Sequence, residues 1–140
     1  MIPEEKAMVF DPIRKKRVAL TPEEYVRQAM VHHLITRLHY PISYISNEYS
    51  ITMGKLSRRC DTVVFDSTLS PLMVLEYKAP EVPITQKVIE QAFQYNSVLR
   101  VPFICLSNSI VTYVYRIGYH GDATIQLPQI PTYEELLQQL

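Results

Sequence analysis

The chain has 140 residues, 47% of them hydrophobic, and its 14 Lys and Arg balance 14 Asp and Glu for a formal net charge of zero. That length supports one buried core and hardly two, so a single domain over residues 1–140 is expected, and zero charge excludes nucleic-acid binding through a global positive field. The two cysteines, Cys60 and Cys105, are too few for a disulfide framework or a zinc cluster and read as reduced thiols, and no apolar run is long enough to span a bilayer.

The opening stretch, MIPEEKAMVF, is acidic where a secretory leader is basic, so a cytoplasmic location is expected. Residues 12–18, PIRKKRV, form a basic run in which Arg14, Lys15, Lys16 and Arg17 are either a solvated surface or a phosphate contact. Thr21 then reads as a helix N-cap, with Pro22 at the first helical position and Glu24 completing a capping box. Val26, Met30 and Leu34, joined by Ile35 and Leu38, predict a core-facing stripe to about residue 38, ending before Pro41. Residues 44–52 read as a strand. Residues 53–59, MGKLSRR, read as a turn whose Lys55, Arg58 and Arg59 are candidates for touching phosphates.

Two strands separated by a turn at 67–70 follow. Side chains alternate along 72–79, so Glu76 and Lys78 share one face and Tyr77 points to the other. If Asp66 faces Pro71 across the turn, counting back brings Asp61 opposite Glu76, on the same side of the sheet. Two carboxylates and an ammonium then converge. A hard divalent cation such as Mg²⁺ binds through one or two carboxylates, keeps several waters and takes its other ligands from phosphate. Lys78 beside it would orient an attacking water and offset charge on phosphate oxygens, which is the chemistry of phosphodiester hydrolysis. The plain alternative for such a trio is a cross-strand salt bridge.

Pro80 and Pro83 break the chain, and Ile84, Val88, Ala92 and Phe93 predict a helix over 84–99. Gln91 and Tyr95, four residues apart, lie along one side of it. Residues 101–107 read as a buried strand, 111–117 as a half-exposed one, 124–127 as a short edge strand, and 132–140 as a terminal helix capped by Thr132. The four histidines match no metal-site spacing, and the ten tyrosines are scattered as ordinary packing residues are.

The order of these motifs resembles the PD-(D/E)xK nuclease superfamily, and within it the N-terminal nuclease domain of type I restriction enzyme R subunits. Asp61, Glu76 and Lys78 match the D…ExK pattern, EYKAP is similar to that branch's E-x-K-A-P, and Gln91 and Tyr95 match its QxxxY motif. TPEEYVRQAMVHHLI resembles its opening helix and LRVPFICLSN the strand after its motif helix, so the likeness covers roughly residues 21–108. The resemblance implies an α/β restriction-endonuclease-like fold, a mixed β-sheet flanked by helices with an αβββαβ core. It also implies Mg²⁺, with Mn²⁺ as substitute, held by Asp61, Glu76 and the backbone carbonyl of Tyr77. Lys78 would position the nucleophilic water, and Gln91 and Tyr95 would support the site. The superfamily's extra acid on the first helix would be Glu23 or Glu24, with Glu23 preferred because it lies on the line of Val26 and Met30 while Glu24 is explained by capping. Cys60 stands where Pro is frequent before the first acid. No GxxxxGK[ST] loop is present, so an ATP-driven motor is not part of this sequence.

The expected function is therefore that of a divalent-metal-dependent DNA endonuclease domain. Expected partners are DNA and the motor or specificity subunits of a restriction or repair system, and a homodimer could offer paired sites to both strands. The alternative is a catalytically silent nucleic-acid-binding or assembly module of the same fold.

Overall fold

Six strands pair to form a mixed sheet in sequence order: β3 (Ile45–Met53), β4 (Leu56–Phe65), β5 (Pro71–Tyr77), β6 (Phe103–Ser107), β7 (Thr112–Arg116) and β8 (Ile125–Leu127). Only the β5–β6 pair is parallel. A parallel neighbour needs a crossover, and α2 (Gln86–Leu99) supplies it. This computed structural model describes residues 7–140, so the start of the acidic N-terminal stretch lies outside the described residues. The succession α1 (Pro22–Thr36), β3, β4, β5, α2, β6 is the expected αβββαβ core.

The helices cover the sheet on both faces. Val26, Met30 and Leu34 of α1 pack with Met73, Leu75, Tyr77, Phe103 and Cys105, joined by Tyr133 and Leu136 of α3 (Tyr133–Gln138). On the other face Val63, Phe65, Val74 and Val101 meet Leu99 of α2. Alternation along β5 therefore sends Tyr77 beneath α1 and leaves Glu76 on the α2 side, as the spacing predicts. No helix among the described residues is long and apolar enough to cross a membrane. Cys60 and Cys105 are buried free thiols in the packing clusters of opposite faces, and desolvation pushes both thiols up to about 12.

Several expectations need correction. Residues 53–59 are not one turn: Met53 pairs with Leu56 across Gly54 and Lys55, and Arg58 and Arg59 belong to β4. Gly54 takes φ +59°, which glycine adopts without a Cβ penalty. The basic run is not simply solvated either. It lies on a two-stranded hairpin, β1 (Met8–Asp11) and β2 (Lys16–Ala19), whose Arg14 forms ion pairs with Asp11 and Glu24. That pairing explains why Glu24 completes no capping box. Thr21 does accept from the Glu24 N–H at 3.1 Å, but the Glu24 carboxylate is taken by Arg14 at 2.6 Å and Gln28 at 2.9 Å. Thr85, not Ile84, begins the second helix, as the cap whose hydroxyl accepts from the Val88 N–H. Thr132 and Glu135 form a reciprocal capping box at α3.

The β4–β5 turn differs as well. Phe65, not Asp66, faces Pro71, and a bulge follows, so that Val64 pairs with Met73 and Thr62 with Leu75. One extra residue on β5 restores the register that the Asp66–Pro71 pairing would have set, and Asp61 continues opposite Glu76. Without it, Asp61 would lie opposite Leu75, on the wrong face.

Candidate active site

Asp61 and Glu76 stand at the end of the β4–β5 ladder, and Lys78 follows immediately beyond β5. The Lys78 N–H donates to the Ser107 carbonyl at 3.0 Å, extending the parallel pairing just far enough to orient the residue. The next loop is tied down when Asn108 Nδ2 donates to the Val82 carbonyl at 2.9 Å. These three side chains line a cleft of about 230 Å³ whose wall also includes Glu23, Arg58, Tyr77, Gln91 and Tyr95. The motif residues of two strands and two helices thus share one open depression.

Asp61 is held from two directions. Its Oδ2 accepts the Tyr77 backbone N–H at 2.8 Å, and its carbonyl accepts from Arg27 Nη1. The second bond exists because the β3–β4 ladder is interrupted there. Glu48, opposite Asp61, adopts φ +56°, and the pair drops out between Asn47–Thr62 and Tyr49–Cys60. The interruption also changes the facing of β4. In a regular strand Cys60 and Val63 would lie on opposite faces, yet both pack on the α2 side. Arg58, two residues before Cys60, consequently enters the cleft, while Arg59 turns away to pair with Glu48 at 2.8 Å. Lys55 sits at the hairpin turn, apart from the cleft lining. Of the three cations expected near phosphate, the structure brings only Arg58 to the acids.

Arg58 Nη2 lies 3.3 Å from Glu76 Oε1, and its Cζ is 3.7 Å over the Tyr95 ring. Burial and the neighbouring Asp61 carboxylate together push the Glu76 carboxyl up to about 8, outweighing Arg58. Two close carboxylates with one long ion pair between them remain short of positive charge. None of the ion pairs among the described residues involves Lys78.

This imbalance tests whether a cation fits. Among the described residues no three His, Cys, Asp or Glu side chains cluster as a protein-only metal cage. Two carboxylate groups near a backbone carbonyl suit instead a hard ion that retains waters, so the donor set fits Mg²⁺ and not a thiolate- or imidazole-loving metal.

Behind the cleft lies a layer that sequence reasoning missed. Arg27, buried in α1, pairs with Glu48, and its Nε is 3.1 Å from Glu24 Oε2 without hydrogen-bond alignment. The carboxylates and guanidinium groups run in series through Asp11, Arg14, Glu24, Arg27, Glu48 and Arg59. A second line runs from Tyr77 Oη to Thr62 Oγ1 at 2.8 Å, on to Asn47 at 2.7 Å, and from Asn47 Nδ2 to Asp11 at 3.0 Å. The sole sequence signal for this layer is the position of Arg27, one residue from the apolar stripe of the first helix.

The family model for the type I restriction enzyme R protein N terminus matches residues 22–131. The chain belongs to this family. Among solved structures, a fragment of a proposed HsdR subunit of a type I restriction enzyme from Vibrio vulnificus YJ016 superposes with a TM-score of 0.59 at 19% identity, covering 84% of this chain and 25% of that one. A proposed nuclease belonging to DUF820 from Anabaena variabilis ATCC 29413 gives 0.52 at 15% identity, covering 99% of this chain and 88% of that one. At these identities the likeness establishes the restriction-endonuclease-like fold, and the present R-protein N-terminal domain spans about a quarter of the HsdR fragment's length. No curated protein sequence matches the chain.

Proposed function

We propose that the chain is a divalent-metal-dependent DNA endonuclease domain that hydrolyses phosphodiester bonds. The observation that carries this reading is the gathering of Asp61, Glu76 and Lys78 in one open cleft, with Gln91 and Tyr95 of α2 on its wall. Asp61, Glu76 and the Tyr77 carbonyl would hold Mg²⁺ or Mn²⁺. When bound, the ion supplies Lewis-acid polarisation of the phosphate and acidifies water at neutral pH.

The chain's own residues do the rest. The Tyr77 N–H fixes one Asp61 oxygen and leaves the other toward the cleft. Lys78 donates to the attacking water and to a phosphate oxygen, offsetting charge as the phosphorus–oxygen bond breaks. Gln91, exposed on α2, offers an amide to the nucleic-acid backbone, and Glu23 at the start of α1 offers a carboxylate to water in the same cleft. The silent-module alternative uses the trio as a salt bridge, but Lys78 pairs with neither acid. The family supports a restriction-system setting, in which motor and specificity subunits would deliver the DNA.

The test is cleavage of a labelled duplex with Mg²⁺ or Mn²⁺. Asp61→Ala and Lys78→Ala are each expected to lower the rate by at least about a hundredfold. Equal residual cutting in wild type and both variants would overturn the assignment.

A further inference from the structure

Arg58 is held unequally on its two sides. Its contact with Glu76, at 3.3 Å, is longer than the roughly 2.7–2.9 Å of a firm charge-assisted bond, whereas its Cζ is only 3.7 Å over the Tyr95 ring. Of five guanidinium donors, one is engaged among the described residues. The Arg58 and Glu76 side chains are 26% and 20% exposed, so an arriving ion or phosphate can reach both. Tyr95 is 50% exposed on α2, and the Arg58 guanidinium lies over its ring.

We propose that Arg58 competes with the divalent cation for Glu76 and, once displaced, remains on the Tyr95 ring as a phosphate-binding guanidinium. The inference rests on the nuclease reading and adds to it an internal counter-ion. A doubly charged ion between Asp61 and Glu76 outbids a singly charged, delocalised guanidinium for the carboxylate and then repels it. The ring holds the cation by its quadrupole, which the incoming ion does not compete for. Arg58 therefore leaves one partner and keeps the other, and its freed donors face the cleft where a backbone phosphate must lie. Tyr95 thereby acquires a defined task, positioning Arg58.

The test compares Mn²⁺ affinity by titration calorimetry with duplex binding by fluorescence anisotropy. Arg58→Leu is expected to bind Mn²⁺ about fivefold more tightly than wild type, the size of a partly exposed ion pair removed as competitor. Arg59→Leu, which removes the same charge from the far side of the strand, is expected to match wild type. Tyr95→Leu is expected to tighten Mn²⁺ binding in the same direction, and Tyr95→Phe, which keeps the ring, is expected not to. With Ca²⁺ present, Arg58→Leu is expected to weaken duplex binding several-fold, and with chelator to leave it unchanged. Arg58→Leu and Tyr95→Leu that bind Mn²⁺ no more tightly than wild type would overturn the proposal, as would a loss of duplex affinity that is equal with and without ion. Because Tyr95 lies at an exposed helical position, its variants decide the question even if Arg58→Leu folds poorly. Wild-type protein that neither binds Mn²⁺ nor cuts overturns the nuclease reading itself, and this inference with it. Wild-type protein that does both, beside an unaltered Arg58→Leu, overturns this inference alone.

Discussion

Glu76 carries the largest electrostatic burden in the cleft, because its carboxyl is both desolvated and set beside Asp61. In the proposed nuclease such a residue would serve chemistry at the expense of stability. Glu76→Gln removes the cost of desolvating or protonating that carboxyl on folding while preserving shape, so at pH 7 it is expected to raise the melting temperature of the ion-free protein by about 3–6 °C and to abolish cutting. Differential scanning calorimetry in chelator checks the first effect, and an unchanged or lower melting temperature would contradict it. Glu76 and Lys78 were readable as a pair because period-two alternation needs no long-range information, whereas Asp61 joins them through a register that the β5 bulge sets. Arg58 was readable only as a cation near Asp61. Its selection over Arg59 depends on Glu48 adopting a left-handed backbone, and no pattern around Glu48 announces that.

At the scale of elements, the N-terminal hairpin is the clearest addition to the expected core. Its Asp11 is fully buried and accepts from Arg14, Asn47 and two backbone N–H groups, which outweigh the opposing effect of burial and hold its carboxyl below the usual carboxylate range. Glu48 is held low in the same sense, Arg27 and Arg59 outweighing its burial. Because the unfolded chain takes up these protons first, the stability they contribute is full above pH of about 4 and lost as pH falls further, through the folded values. Asp11→Asn is expected to flatten that acid-side loss in a urea-denaturation series from pH 6 to 3. Asp11→Ala, which takes one partner from Arg14 and one from Asn47 and leaves a buried gap, is expected to cost about 3 kcal/mol at pH 7. The helices differ too: α1 buries six residues and α2 only Asn96 and Leu99. Amide exchange in α2 is therefore expected to run at least about tenfold faster than in α1 by mass spectrometry. Equal protection of the two would contradict this account of α2.

For the whole molecule, zero net charge leaves no net positive field to gather DNA, so under the proposed function duplex binding would depend on the cleft and its rim. Duplex affinity of this chain alone is expected to be weak and to fall by less than about tenfold between 50 and 200 mM salt, since few phosphates are neutralised at once. A slope corresponding to six or more phosphates, measured by anisotropy, would require a larger basic surface than the fold presents.

What the sequence determined by itself is local: where helices start at Thr21 and Thr132, which strands alternate, and that Glu76 and Lys78 share one face. Those features depend on residues within a turn or a hairpin of one another, and the chain's periodicity encodes them directly. Tertiary structure alone decided the rest. The β5 bulge set the register, the Glu48 backbone chose Arg58 over Arg59, and the hairpin at 8–19 supplied Arg14 and Asp11 to a buried charge series reaching Arg27 behind the acids. Each joins residues distant along the chain, and a buried guanidinium and a solvated one read identically until packing removes water from the first.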